Sequence, residues 1–105
     1  MIQIEQQPID ERIGQAMMEA MPTHWQGIAL NVERNGEADA ERYTIDLGPL
    51  QGEPGLAIVS DELQDAIREL YLLHRSHGTG MRVARYFVQP DGDEWKLVSE
   101  FEYDD

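Results

Sequence analysis

The chain has no cysteine, so disulfides and thiolate metal sites are excluded outright. Positive charge is scarce: 8 Lys and Arg face 21 Asp and Glu, a formal net charge of -13, and the isoelectric point falls near 4.4. Such a surface repels nucleic acid and anionic membranes and attracts basic protein surfaces, which makes DNA and RNA poor ligands. Long hydrophobic runs are missing as well; none approaches the roughly 20 residues that a membrane-spanning helix needs. The opening stretch MIQIEQQPIDER lacks the basic n-region, apolar core and small-residue cleavage site of a secretory leader. A soluble, cytoplasmic protein is the expectation.

What is present is pattern. A chain of 105 residues makes one domain that buries roughly 60–70% of the surface its unfolded form exposes. The apolar residues are periodic rather than scattered, so folding prevails over the disorder that so high a charge would otherwise favour. Ile9, Ile13, Met17, Ala20 and Met21 share one helical face, which predicts an amphipathic helix over residues 8–21 with Pro8 in its first turn and Pro22 at its end. Ile28, Leu30 and Val32 then alternate with Ala29, Asn31 and Glu33 as a half-buried strand that Asn35-Gly36 breaks. After the acidic connection GEADAER, Tyr43, Ile45 and Leu47 alternate as a second strand, antiparallel to the first.

The loop GPLQGEPG leads into LAIV, residues 56–59, read as a short extended segment. Ser60 is a suitable N-cap, Asp61 and Glu62 suit the first turn of a helix, and Arg75 and Gly78 suit its end. Leu63, Ile67, Leu70, Tyr71 and His74 line one face of this second helix, over residues 61–77. A hairpin closes the chain. Met81, Val83 and Phe87 are expected on one face of its first strand, with Pro90-Asp91-Gly92-Asp93 as the turn. Trp95, Leu97, Phe101 and Tyr103 alternate down the returning strand as core positions, and Lys96, Val98, Glu100, Glu102 and Asp104 face outward. The expected fold is α+β, with two helices on one face of an antiparallel sheet of about four strands in the order α-β-β-(short β)-α-β-β.

Residues able to carry chemistry are few. His74 and His77 stand three apart, a spacing that could present two imidazoles to a metal, but no third ligand lies nearby in sequence; interaction with the helix C-terminus is the simpler role. His24 reads as a turn residue. The DGDE stretch, residues 91–94, lacks the remaining ligands of a calcium loop and reads as a solvated turn. Glu100 and Glu102 could act as an acid-base pair but lie on an exposed strand face. Neither Ser60 nor Ser99 belongs to a nucleophile motif, and HGTG, residues 77–80, is too short for a phosphate-binding loop. No enzymatic activity, cofactor or metal is expected.

Three passages carry a resemblance: MMEAMPTHWQGIALNVE, where the first helix gives way to a Trp-led strand; DELQDAIRELYLLHR; and the closing WKLVSEFEYDD, with its aromatic-acid-aromatic-acid form. In these the chain resembles the YezG-like family of bacterial immunity proteins, while SHGTGMRVARY and GPLQGEPG depart from the family pattern. The resemblance implies a protein that neutralises a cognate toxin, with nucleases prominent among such toxins. Without a leader it would act in the cytoplasm, where a nuclease presents a basic phosphate-binding surface. The acids concentrate in GEADAE, the hairpin turn and the last strand, and Arg82, Arg85, His74 and His77 are expected to gather elsewhere. Asp91, Asp93, Glu94, Glu100, Glu102, Asp104 and Asp105 are therefore the expected contacts to a basic toxin surface, as unrelieved like charges. An acidic adaptor or assembly subunit, or a small-molecule binder with a concave pocket, are the alternatives.

Overall fold

The computed structural model of the chain describes residues 2–35 and 42–104. The spacing of Ile9, Ile13 and Met17 forms a helix, α1, but it spans Ile2–Ala20, so Pro8 lies inside it and not in its first turn. An interior proline removes one N–H from the helix ladder and costs about 3 kcal/mol. Ties to a second helix, α2 (Asp61–Ser76), offset this: Gln6 hydrogen-bonds His74 at 2.7 Å, and Glu5 pairs with His77, just past the α2 end, at 2.6 Å. The two helices run antiparallel, since Gln6 meets His74 and Arg12 pairs with Glu69.

α2 follows its local signals closely. The Ser60 hydroxyl oxygen accepts from the Leu63 N–H at 3.1 Å, which satisfies one of the orphan donors of the first turn. Leu63, Ala66, Ile67, Leu70, Tyr71 and His74 are buried along one face.

Four strands form one antiparallel sheet: β1 (Ile28–Arg34), β2 (Tyr43–Pro49), β3 (Met81–Asp91) and β4 (Glu94–Tyr103), in the spatial order β2-β1-β3-β4. Ile28, Leu30 and Val32 of β1 face the same way as Val88, Tyr86 and Ala84 opposite them, and join Ile13, Met17, Leu63, Ile67 and Leu70 in a single core. Both helices thus cover one face of the sheet, and the fold is α+β. Gly36, most of the GEADAER connection and Asp105 lie outside the described residues.

Four further expectations are corrected. Residues 56–59 form no strand, so the element order is α-β-β-α-β-β. In β3 the face is inverted. Met81 opposes Tyr103 and Val83 opposes Glu102, which leaves Arg82 as an extra bulged residue. A bulge shifts the alternation by one, so Ala84, Tyr86 and Val88 face the helices beyond it, whereas Val83 and Phe87 face away. The third correction concerns β4, where Trp95, Leu97 and Tyr103 are 43%, 37% and 48% exposed instead of lying in the core, and of the four residues read there Phe101 alone packs against it. β4 is an edge strand that α1 meets near its middle, where a Cβ on Gly14 would stand 3.1 Å from Leu97, and its ends extend beyond that cover. The turn itself is shorter than expected: Pro90 and Asp91 belong to β3, and Gly92-Asp93 make a two-residue turn with Gly92 at a φ of 64°.

Candidate functional site

The expected toxin contacts do not form one patch. Asp91, Asp93 and Glu94 are exposed at the hairpin turn, and Glu100, Glu102 and Asp104 lie at the far end of β4. At about 3.3 Å per residue, Glu94 and Glu100 are roughly 20 Å apart along the strand. Lys96 and Val98 occupy the same face between them.

Nor are the carboxylates at the end of β4 unrelieved. Arg85 pairs with Glu102, and Arg34 pairs with Asp104 while its other NH donates to the Met81 carbonyl at 2.8 Å. Arg82 meets Glu33 at 2.8 Å, Glu102 at 3.5 Å and Asp104 at 3.6 Å. Three arginines and three carboxylates therefore interlock across β1, β3 and the end of β4, contrary to the expectation that Arg82 and Arg85 gather elsewhere. The bulge makes this possible by turning Arg82 toward both neighbouring strands. Its guanidinium spans the row Glu33-Val83-Glu102, and Val83 is buried between the two acids. Tyr71 of α2 holds the bulge from the core side, with its hydroxyl 2.9 Å from the Arg82 carbonyl. Desolvation raises the Tyr71 pKa well above the ordinary phenol value and keeps the hydroxyl a donor. Glu100 is exposed and has no hydrogen-bond or ion-pair partner among the described residues.

This network changes what substitutions report. Charge reversal at Asp104, itself 44% exposed, removes the carboxylate from an Arg34 side chain that is only 8% exposed and sets a like charge beside it, which is destabilising. Glu100 and Glu94 can be altered without that complication.

A second polar cluster reaches from the surface into the core, and in the sequence only His74, on the apolar face of the second helix, pointed to it. Thr79, His74, Gln6, Asp10 and Tyr86 form a chain of hydrogen bonds with heavy-atom distances of 2.8, 2.7, 3.2 and 2.5 Å in that order. The Gln6 amide donates to Asp10, so its carbonyl oxygen faces His74 Nε2, which must donate; Nδ1 then accepts from the Thr79 hydroxyl. Burial lowers the His74 pKa from its ordinary 6.5, against an opposing upward pull from the Asp10 charge and with a further downward push from His77. The folded state thus favours neutral His74. Below pH 6.5 the unfolded chain binds the extra proton more readily, so acidification erodes stability. Urea unfolding across pH 7.5 to 5 should show the wild type losing stability relative to His74→Gln as pH falls; parallel curves would refute a neutral buried His74.

His24 serves the loop before α2: its Nε2 and the Trp25 Nε1 both reach the Pro54 carbonyl, at 2.8 and 2.9 Å. The Gln26 N–H donates to Glu53, which holds that exposed carboxyl below its ordinary pKa. Among the described residues, no group of three or more His, Asp or Glu could hold a metal ion, and no helix is long and apolar enough to cross a membrane. The face of the sheet away from the helices carries an open basin of about 380 Å³ along Ala29, Asn31, Asp46, Gly48, Arg85 and Phe87. No protein-family model, curated protein or solved structure matches the chain.

Proposed function

We propose that the chain is an immunity protein that binds and neutralises a cognate bacterial toxin in the cytoplasm, with a nuclease as the toxin class whose basic surface it covers. The observation that carries this reading is how its own cations are placed. Arg12, Arg34, Arg82 and Arg85 are each engaged by the chain's own carboxylates, so the surplus expressed in the net charge of -13 faces outward. Exposed ion pairs add only about 0–1 kcal/mol each, so this field acts chiefly on the rate and selectivity of encounter. The resemblance in MPTHWQGIALNVE, LYLLHR and the closing strand supports the same reading.

Co-expression with the product of the adjacent gene tests it. That product should be toxic alone, harmless with this protein, and recovered in complex with it. Absence of either protection or a complex would leave an acidic adaptor as the better description. Within a complex, Glu94→Lys with Glu100→Lys should slow association at low salt by roughly 2–10-fold and flatten its salt dependence, with the fold unchanged. Unchanged kinetics would place the contact away from β4.

A further inference from the structure

Residues 56–59 read LAIV, four apolar side chains in a row, and the protein covers only one side of them. Ala57 and Val59 pack against the core, while Leu56 and Ile58 are 89% and 80% exposed. Alternate residues of an extended segment point to opposite sides, so Leu56 and Ile58 project together. Single exposed apolar residues are ordinary, and it is the adjacency of this pair to a groove that sets it apart.

The groove is present. One hollow of about 420 Å³ is lined by Ala16, Glu19, Ala20, Leu56, Ile58 and Ser60. It adjoins a second of about 260 Å³, which shares Ala16 and Glu19 and continues along the helix seam past Glu62 and Asp65 to Arg12. The floor is thus alanine, one wall is leucine and isoleucine, and the rims are carboxylates. Its only cation, Arg12, is already paired with Glu69 outside the lining. Glu19 accepts from Gln15 at 3.3 Å, and neither Glu62 nor Asp65 has an ion-pair or hydrogen-bond partner among the described residues.

We propose that this groove docks a basic amphipathic segment of a partner protein, with leucine-sized side chains against Leu56, Ile58 and the alanine floor and Lys or Arg beside Glu19, Glu62 and Asp65. Charge complementarity selects that occupant. An acidic or purely apolar segment would leave three carboxylates facing like charge or desolvated without partners, which costs more than the apolar contact returns. The basic segment offsets them and uses the apolar wall for affinity, the combination that recognises helices in grooves. The inference goes beyond the immunity reading, because it depends on the chemistry of the groove and not on what the partner does.

The probe is a synthetic helix-forming peptide of leucine and lysine with all leucines on one face, compared with a scrambled peptide of the same composition and with its leucine-glutamate counterpart. Titration into the labelled protein should move the amide signals of Ala16, Glu19 and residues 56–60, and the scrambled and acidic peptides should bind at least about tenfold more weakly. Leu56→Ser with Ile58→Ser should weaken binding by about tenfold or more while circular dichroism and the thermal midpoint stay unchanged, since both side chains already sit in water. Should that double variant fold poorly, Leu56→Asn alone gives the same comparison. Glu19→Gln with Asp65→Asn should flatten the salt dependence of binding. No binding, equal binding of the scrambled peptide, undiminished binding to the serine variant, or signals confined to the open sheet face would each overturn the proposal. Specific peptide docking without a toxin complex would sustain the groove and overturn the immunity reading; a toxin complex without specific peptide docking would do the reverse.

Discussion

Replacing Trp25 with alanine should lower the free energy of unfolding by about 3–5 kcal/mol, a large share of the roughly 5–15 kcal/mol that holds a domain of this size. The indole is almost wholly buried and packs in the same cluster as Ile28, Leu30 and Met17. Its N–H also anchors Pro54, so truncation opens a cavity and frees residues 51–55 together. Trp25→Phe separates the two effects. Phenylalanine keeps most of the packing, and the Pro54 carbonyl retains His24 as a partner, so the cost should fall to about 1–2 kcal/mol. Urea unfolding followed by circular dichroism measures both. A loss below about 1 kcal/mol for the alanine variant would mean that the loop is not tied to the core through Trp25.

Gly27→Ala should cost about 2–4 kcal/mol although it adds a single methyl group. Gly27 has a φ of 134°, a conformation that side chains rarely adopt, and an added Cβ would stand 2.8 Å from the Val88 carbonyl oxygen and 2.9 Å from the Leu50 side chain. The first of these cannot yield cheaply, because Val88 is backbone in the β1–β3 ladder opposite Ile28. Gly48→Ala is the control. A Cβ there meets nothing within 4 Å, and the substitution should be neutral or slightly stabilising. Thermal midpoints about 10 °C or more apart for the two variants are expected, and equal midpoints would discount the crowding at Gly27.

Much of the architecture can be read from local pattern. Alternation at Ile28, Leu30 and Val32 places β1, and Ser60 with Asp61 and Glu62 places the start of α2, because each of these signals is resolved within a few neighbouring residues. Errors arise where a distant partner decides. Pro8 looks like a helix start until His74 and His77 hold the upstream turn against α2. Counting by twos from Met81 selects Phe87 for the core, and the bulge at Arg82 hands that place to Tyr86. The candidate site suffers most. SEFEYDD looks unneutralised because Arg34, Arg82 and Arg85 reach it across strands whose register no local pattern reveals. LAIV reads as a strand because its composition is that of one; the missing signal is which side the rest of the fold would leave open.

The strand order β2-β1-β3-β4 has a consequence for how the chain folds. Each outer pair consists of consecutive strands, and a hairpin closed by a two-residue turn such as Gly92-Asp93 forms on a timescale of about 1–10 μs. The central seam instead joins Glu33 to Val83 and Ile28 to Val88, with the whole of α2 in the intervening loop. Closing that loop costs entropy before its contacts return anything, so alignment of the two hairpins along β1 and β3 is the step expected to set the folding rate. Substitutions in the seam, Leu30→Ala for example, should slow refolding, whereas those at the hairpin tip around Gly92 should act mainly on how fast the native state opens.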